Sequence, residues 1–135
     1  MTLDALRKGI INVNGGKQIR PQLHIGDMIR SYLFFLKNKK TGIFNVGFEN
    51  YSISKIADMI DKNLKNVKII KNSSLDVRSY KLYAGKLLSI GFKRSKSSND
   101  AITDLIKNFN QKKIKDRKTN LRSVFLSKNL KKFYG

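Results

Sequence analysis

The feature that most constrains this chain is a close alternation of compact apolar runs with segments whose apolar residues recur every three to four positions. Ile10 to Val13 reads as a short strand, closed by the turn Asn14-Gly15-Gly16, where glycine supplies positive φ angles. Ile43-Phe44-Asn45-Val46-Gly47 reads as a second strand and Val67 to Ile70 as a third. Between these two lies the clearest helix. Ser52 opens it, Ile53, Ile56, Ala57, Ile60 and Leu64 form one stripe, and Lys55, Asp58, Asp61, Lys62 and Lys65 form the other face. Strands alternating with helices predict an α/β chain, yet so few short strands do not complete a doubly wound sheet. The expected architecture is therefore a partial α/β fold.

The other segments are weaker in pattern. Thr2 to Lys8 has one apolar turn and reads as the end of a helix. Lys17 to Ile25 reads as extended, and Pro21 within it favours an edge strand. Asp27 is expected to cap a helix from Met28 to about Lys37, whose wide apolar face (Met28, Ile29, Tyr32, Leu33, Phe35, Leu36) predicts deep burial. A short helix is expected around Ala84 to Leu88, stopped by Gly91. In the last helix, Asn99 or Asp100 is the expected cap and Ile102, Leu105, Ile106 and Phe109 the expected buried stripe. Beyond Gln111 the period is lost. Residues 112–135 carry nine Lys+Arg against one Asp, so a loosely attached basic tail is expected to follow an α/β region spanning 1–111.

Composition excludes several chemistries. At 135 residues the chain is one domain's worth, and without cysteine it has no disulfide framework, thiolate metal site or cysteine nucleophile. Its single histidine, His24, makes a histidine-rich metal site implausible. The net charge of +20 suggests a polyanionic partner, and a small nucleic-acid-binding protein is the alternative reading. Yet 22 of the 29 basic residues are lysine, whereas phosphate and base-edge recognition favours the bidentate arginine fork. Lys, Ile and Asn make up 50 of the 135 residues, a bias that low-GC coding also produces. No apolar stretch approaches the roughly 20 residues of a membrane span, so no membrane partner and a cytoplasmic location are expected.

The catalytic motifs are mostly missing. No glycines form G-x-G-x-x-G or a Walker A loop, and His24 has no G-x-S-x-G partner. Asp27 beside His24 suggests acid–base chemistry, but capping and packing account for both. Tyr51-Ser52-Ile53-Ser54-Lys55 is a literal Y-x-x-x-K, the phenolate-base pattern of short-chain dehydrogenases. Its place downstream of the Phe44-Asn45-Val46-Gly47 run and the apolar Ile53 and Ile56 argue for a structural turn.

Three stretches, in order, carry a family resemblance. They are Arg20-Pro21-Gln22-Leu23-His24-Ile25-Gly26-Asp27; Gly42-Ile43-Phe44-Asn45-Val46-Gly47 with Tyr51-Ser52-Ile53; and Asp76-Val77-Arg78-Ser79-Tyr80 with Lys86 and Gly91-Phe92. Together, over about Leu3 to Phe109, they resemble the C-terminal half of the NAD-dependent sugar-nucleotide epimerase/dehydratase family, the extended short-chain dehydrogenase/reductases. The resemblance implies a substrate-binding region for a nucleotide sugar. Arg20 matches an arginine that contacts the diphosphate, and Asp76 and Tyr80 match a loop lining the nucleotide pocket, with Arg78 between them. It also implies no catalytic residue and no cofactor on this chain alone. NAD and the catalytic tyrosine/lysine belong to the complete enzyme, supplied by an N-terminal Rossmann-domain chain. Without that half, Ile- and Phe-rich stripes would face solvent. Tyr83-Ala84-Gly85-Lys86 departs from the family pattern, which more often has an aspartate and a hydroxyl residue before the lysine.

Overall fold

The computed structural model describes residues 1–73 and 78–114. Its elements run α1 (Thr2–Lys8), β1 (Ile10–Asn14), β2 (Ile19–Gln22), α2 (Ile25–Asn38), β3 (Glu49–Ser52), α3 (Ile53–Leu64), β4 (Lys68–Asn72), α4 (Gly85–Ser89) and α5 (Ser98–Asn110). This is the expected partial α/β fold. Its strands form two separate pairs: β1 lies parallel to β4, with Ile11 opposite Ile69, and β2 lies antiparallel to β3, with Pro21 opposite Asn50.

The main core fills the space under the parallel pair. Ile11 and Val13 point inward from β1 while Asn12 and Asn14 point out, the period-2 pattern of a half-buried strand. They meet Ala5 of α1, Ala57 and Ile60 of α3 and Ile102 of α5. Gly9 ends α1 in the left-handed region, at φ 65°, so that the chain can turn directly into β1. Ser52 caps α3 by accepting a hydrogen bond from the Lys55 amide, as its position predicts.

A second, aromatic cluster anchors α2. Phe34 meets Phe92 edge-on at 5.6 Å, Phe48 stacks on Phe92 at 5.7 Å, and Phe35 lies 4.9 Å from Phe44. Leu87 and Ala84 of the α4 region are buried as well.

Several expectations are corrected. The strand expected at Ile43 to Gly47 is displaced to Glu49–Ser52, because the ladder is set by β2, and the described residues offer 43–47 no strand partner. Helix α2 starts at Ile25 rather than Met28. Its cap is His24, whose Nδ1 accepts from the Gly26 amide at 2.9 Å, and not Asp27. Ser97, rather than Asn99 or Asp100, caps α5. Asp100 completes a capping box by accepting from the Ser97 amide and hydroxyl at 2.8 and 2.7 Å. Leu105, expected in the buried stripe of α5, is 38% exposed.

The largest departure is in α2. The residues it buries are Asp27 and Ser31, at 0% and 2% exposure, while Ile25, Ile29, Tyr32, Leu33 and Leu36 are all more than half exposed. The expected burial of Ile29, Tyr32, Leu33 and Leu36 is therefore reversed. The aromatic contacts of Phe34 and Phe35 and the hydrogen bonds of Asp27 fix which side of the helix faces in.

Candidate functional site

Strand β2 and the segment after residue 77 bring three of the expected ligand residues together. Arg20 is half-buried on β2. Its Nη1 donates to the Ile19 carbonyl at 3.0 Å and to the Arg78 carbonyl, and its guanidinium lies 5.2 Å from the centre of the Tyr80 ring. Arg78 and Tyr80 are exposed. Asp76, the fourth expected residue, lies outside the described residues, as does the part of the basic tail beyond residue 114.

Backbone contacts explain why residues so distant in sequence meet. The Ser79 hydroxyl accepts from the Ile19 amide at 3.0 Å, and the Tyr80 amide donates to the Ile19 carbonyl at 3.3 Å. Two residues on, the Asn50 side chain engages both backbone groups of Leu82. Its amide nitrogen donates to the Leu82 carbonyl and its oxygen accepts from the Leu82 amide, each at 3.0 Å. Gly47 lets Leu82 come close, since a β-carbon there would meet Leu82 side-chain atoms at 3.1 and 3.3 Å. The segment 78–82 is thus sewn to the β2–β3 pair, and Arg20 and Tyr80 are held in register by it.

Two carboxylates act as anchors: Glu49, which sequence reasoning missed, and Asp27, which it took for a helix cap. Asp27 accepts from the Ser95 amide and hydroxyl, the Lys96 amide and Arg30 Nη1, at 2.9 to 3.2 Å. Burial, the largest single influence, pushes its carboxyl up. The amides of Lys96 and Ser95, the Ser95 hydroxyl and the Arg30 charge outweigh it, so Asp27 titrates below the ordinary aspartate range. Glu49 accepts from the Ser98 amide and hydroxyl at 2.7 and 2.6 Å and from the Tyr51 hydroxyl at 3.3 Å, fixing the start of α5 to β3. Arg30 and Tyr51 are near their carboxylates in sequence, but Ser95, Lys96 and Ser98, which hold the two anchors in place, are remote.

The other chemistry-bearing residues have structural roles. His24 is buried, with Nδ1 accepting the cap bond and Nε2 3.1 Å from Asp104. Tyr51 sits in a strand and Lys55 in a helix, so they are not one helical turn apart. Burial, the negative charge of Glu49 and the hydrogen bond to it push the Tyr51 phenol up, opposite to what a phenolate base needs. Ala84, the residue before α4, makes no side-chain cap bond, as the departure at Tyr83 to Lys86 implies. Lys86 instead donates to the Ile43 carbonyl at 3.0 Å and lies over the Phe44 ring.

The glycine pair after β1 does not fit a dinucleotide cofactor. It leads into another strand rather than a helix N-terminus, and a β-carbon at Gly16 would clash with the Ser54 hydroxyl, so this backbone is packed against α3. Among the described residues no cluster of His, Asp or Glu could hold a metal ion, and no helix is long and apolar enough to cross a membrane.

No family model and no curated protein matches the chain. Solved structures do match. An ADP-L-glycero-D-manno-heptose-6-epimerase of Helicobacter pylori superposes with a TM-score of 0.71 over 81% of this chain at 19% identity. A dTDP-glucose 4,6-dehydratase of Bacillus anthracis in complex with NAD gives 0.70 over 82% at 17%. An NAD-dependent NDP-hexosamine 5,6-dehydratase involved in tunicamycin biosynthesis gives 0.69 over 82% at 14%. The chain spans only 36%, 37% and 38% of those three chains, respectively. None of these findings favours the nucleic-acid alternative. What the chain shares with NAD-dependent sugar-nucleotide epimerases and dehydratases is thus the fold of about a third of their length.

Proposed function

We propose that this chain is the C-terminal, sugar-nucleotide-binding part of an NAD-dependent epimerase/dehydratase, and that it does not transfer hydride alone. The observation that carries this reading is the arrangement of Arg20: two backbone carbonyls orient its guanidinium, and Tyr80 covers it. A diphosphate needs fixed cationic donors, and each charge-assisted bond from arginine contributes about 1.5–3 kcal/mol. An arginine oriented in advance loses less rotamer freedom when it binds. Tyr80 offers a flat apolar face with a hydroxyl at its edge, suited to a nucleoside. In this reading Arg78 adds a second cation, and Asp76 accepts from ribose hydroxyls or orients Arg78. The nucleotide sugars named for the structural neighbours support this ligand class. The short coverage supports a part rather than a whole, as does a two-stranded parallel pair, an arrangement normally found inside larger sheets.

The test is a titration of isotope-labelled chain with UDP, GDP, ADP and dTDP, read by NMR. At least one nucleotide is expected to shift the resonances of Arg20 and Tyr80, and Arg20→Ala should weaken its binding about tenfold. No shift with any of them, or shifts spread over the lysines and matched by pyrophosphate alone, would remove the reading.

A further inference from the structure

The segment 78–82 runs beside β2 in the same direction, and the way it is fastened changes along its length. At the Ile19 end the fastening uses β2 itself: the Tyr80 amide donates to the Ile19 carbonyl at 3.3 Å, and the Ser79 hydroxyl accepts from the Ile19 amide at 3.0 Å. A parallel ladder would continue with a bond from the amide of residue 21 to the Tyr80 carbonyl, then one from the Leu82 amide to the carbonyl of residue 21. Residue 21 is Pro21, which has no N–H to give.

Asn50 takes over where the ladder stops. It stands opposite Pro21 in the β2–β3 register, and its side chain reaches Leu82, with Nδ2 donating to the Leu82 carbonyl and Oδ1 accepting from the Leu82 amide, each at 3.0 Å. A side-chain amide offers one donor and one acceptor side by side, as a neighbouring strand would. Gly47 leaves room for this approach, since a β-carbon there would press on Leu82 at 3.1 Å and lie 3.5 Å from the Pro21 side chain. Tyr80 stands between the two fastenings. Its side chain is 55% exposed, so packing does not fix the ring; the backbone on either side of it does. Released at Leu82, residues 80–82 would swing about the Ile19 bonds and carry the ring off the Arg20 guanidinium, from whose carbon it now lies 5.2 Å.

We propose that Asn50 is a positioning residue of the nucleotide site: by holding both backbone groups of Leu82 it sets the Tyr80 ring against Arg20, acting through that segment rather than by touching the ligand. This rests on the proposed function for its ligand, a nucleoside diphosphate, and adds to the site a residue of β3 that lies in none of the three family-like stretches. The position needs a neutral group with a donor and an acceptor. A carboxylate would accept from the Leu82 amide but set its second oxygen against the Leu82 carbonyl, whereas a protonated carboxyl restores both bonds.

Asn50→Asp tests this on the full chain by NMR, at about pH 7 and about pH 4.5. Partial burial, and a hydrogen bond that only the neutral form donates, raise the titration of the new carboxyl above the ordinary aspartate value of about 4, so a large share of it is protonated in the acid sample. At neutral pH the ring-current shift of the Arg20 side-chain protons is expected to collapse, and the affinity for whichever of UDP, GDP, ADP and dTDP the wild type binds to fall about tenfold, with the Ile11 and Ile60 core resonances unmoved. In acid both signals return. The adjacent carboxylate, Glu49, held by Tyr51, Ser98 and Arg94, is present in the wild type too, whose Arg20 shift should be the same at both pH values. Asn50→Ala puts no charge against Leu82 and decides the matter if the first variant does not fold; it should lose both signals at both pH values. An unchanged shift and affinity in the variants, or a loss in Asn50→Asp that acid does not reverse, would overturn the inference. If the wild type binds none of the four nucleotides while the Arg20 shift follows the substitutions, the proposed ligand falls and the positioning of Tyr80 stands; if the wild type binds one and both variants bind it equally well, the reverse holds.

Discussion

Helices α2 and α3 follow one another in the chain, each joined to a strand of the same antiparallel pair, and they use their apolar residues in opposite ways. Helix α3 buries Ala57 and Ile60 against the main core, with Ile53, Ile56 and Leu64 packed beside them and Lys55, Asp58 and Lys62 outside. Helix α2 buries a carboxylate and a hydroxyl and shows its aliphatic stripe to solvent. Amphipathicity alone says that a helix has two sides. Which side faces in is decided by what the rest of the described chain supplies: an apolar floor for α3, and for α2 a set of amides at Ser95 and Lys96 together with a few aromatic rings.

The contrast breaks first at the core side. Ile60→Ala is expected to destabilise the chain by about 2–4 kcal/mol in urea unfolding, because the group is fully buried among Ala5, Ile11 and Val13. A loss under 1 kcal/mol would mean that α3 is no better packed than α2. Next comes Asp27→Asn, with an expected loss of about 2–3 kcal/mol, since an amide nitrogen in place of Oδ1 cannot accept from Arg30 and the Ser95 hydroxyl and removes the charge those bonds share. If thermal unfolding is unchanged, Asp27 does not hold the inner face of α2.

The same carboxylate predicts a pH dependence. Its folded pKa is depressed, so its contribution is complete above the unfolded aspartate value of about 4 and is lost as the pH falls through the lower folded value. Wild-type stability should fall through that window more steeply than that of Asp27→Asn, whose side chain does not titrate. Parallel curves would contradict the assignment. Gly47→Ala should cost about 1 kcal/mol by pressing on Leu82, with the largest amide-exchange changes in residues 78–82. The smallest effect belongs to the outer face: Leu33→Lys should leave the stability of the isolated chain within about 0.5 kcal/mol of wild type.

How far the sequence anticipated all this depended on whether the deciding contact was local. Helix α3 was readable because its stripe lies within its own twelve residues and its cap, Ser52, immediately precedes them. Helix α2 was not, since Met28, Phe34 and Phe35 compete with Ile29, Leu33 and Leu36 for the inner side, and the outcome turned on Phe92, Phe44, Ser95 and Lys96. The Ile43 to Gly47 run has a strand's composition, but ladder register is a long-range property, and β2 pairs with Glu49–Ser52 instead. At α5 the run Ser97-Ser98-Asn99-Asp100 offered several caps of similar chemistry, and only the reciprocal Ser97–Asp100 bonds single one out. The candidate site was the least local feature. Nothing in spacing joins Arg20 to Arg78, 58 positions apart, and only the family resemblance put them together before the geometry did.

The orientation of α2 is the point on which the account turns, and the absence of cysteine makes it directly measurable. Single-cysteine variants Leu33→Cys and Ile60→Cys, labelled with a maleimide under native conditions, report the two helices side by side. The account predicts that Leu33→Cys reacts at nearly the rate of the unfolded chain and that Ile60→Cys is strongly protected. Protection of Leu33→Cys in the purified monomer would contradict it.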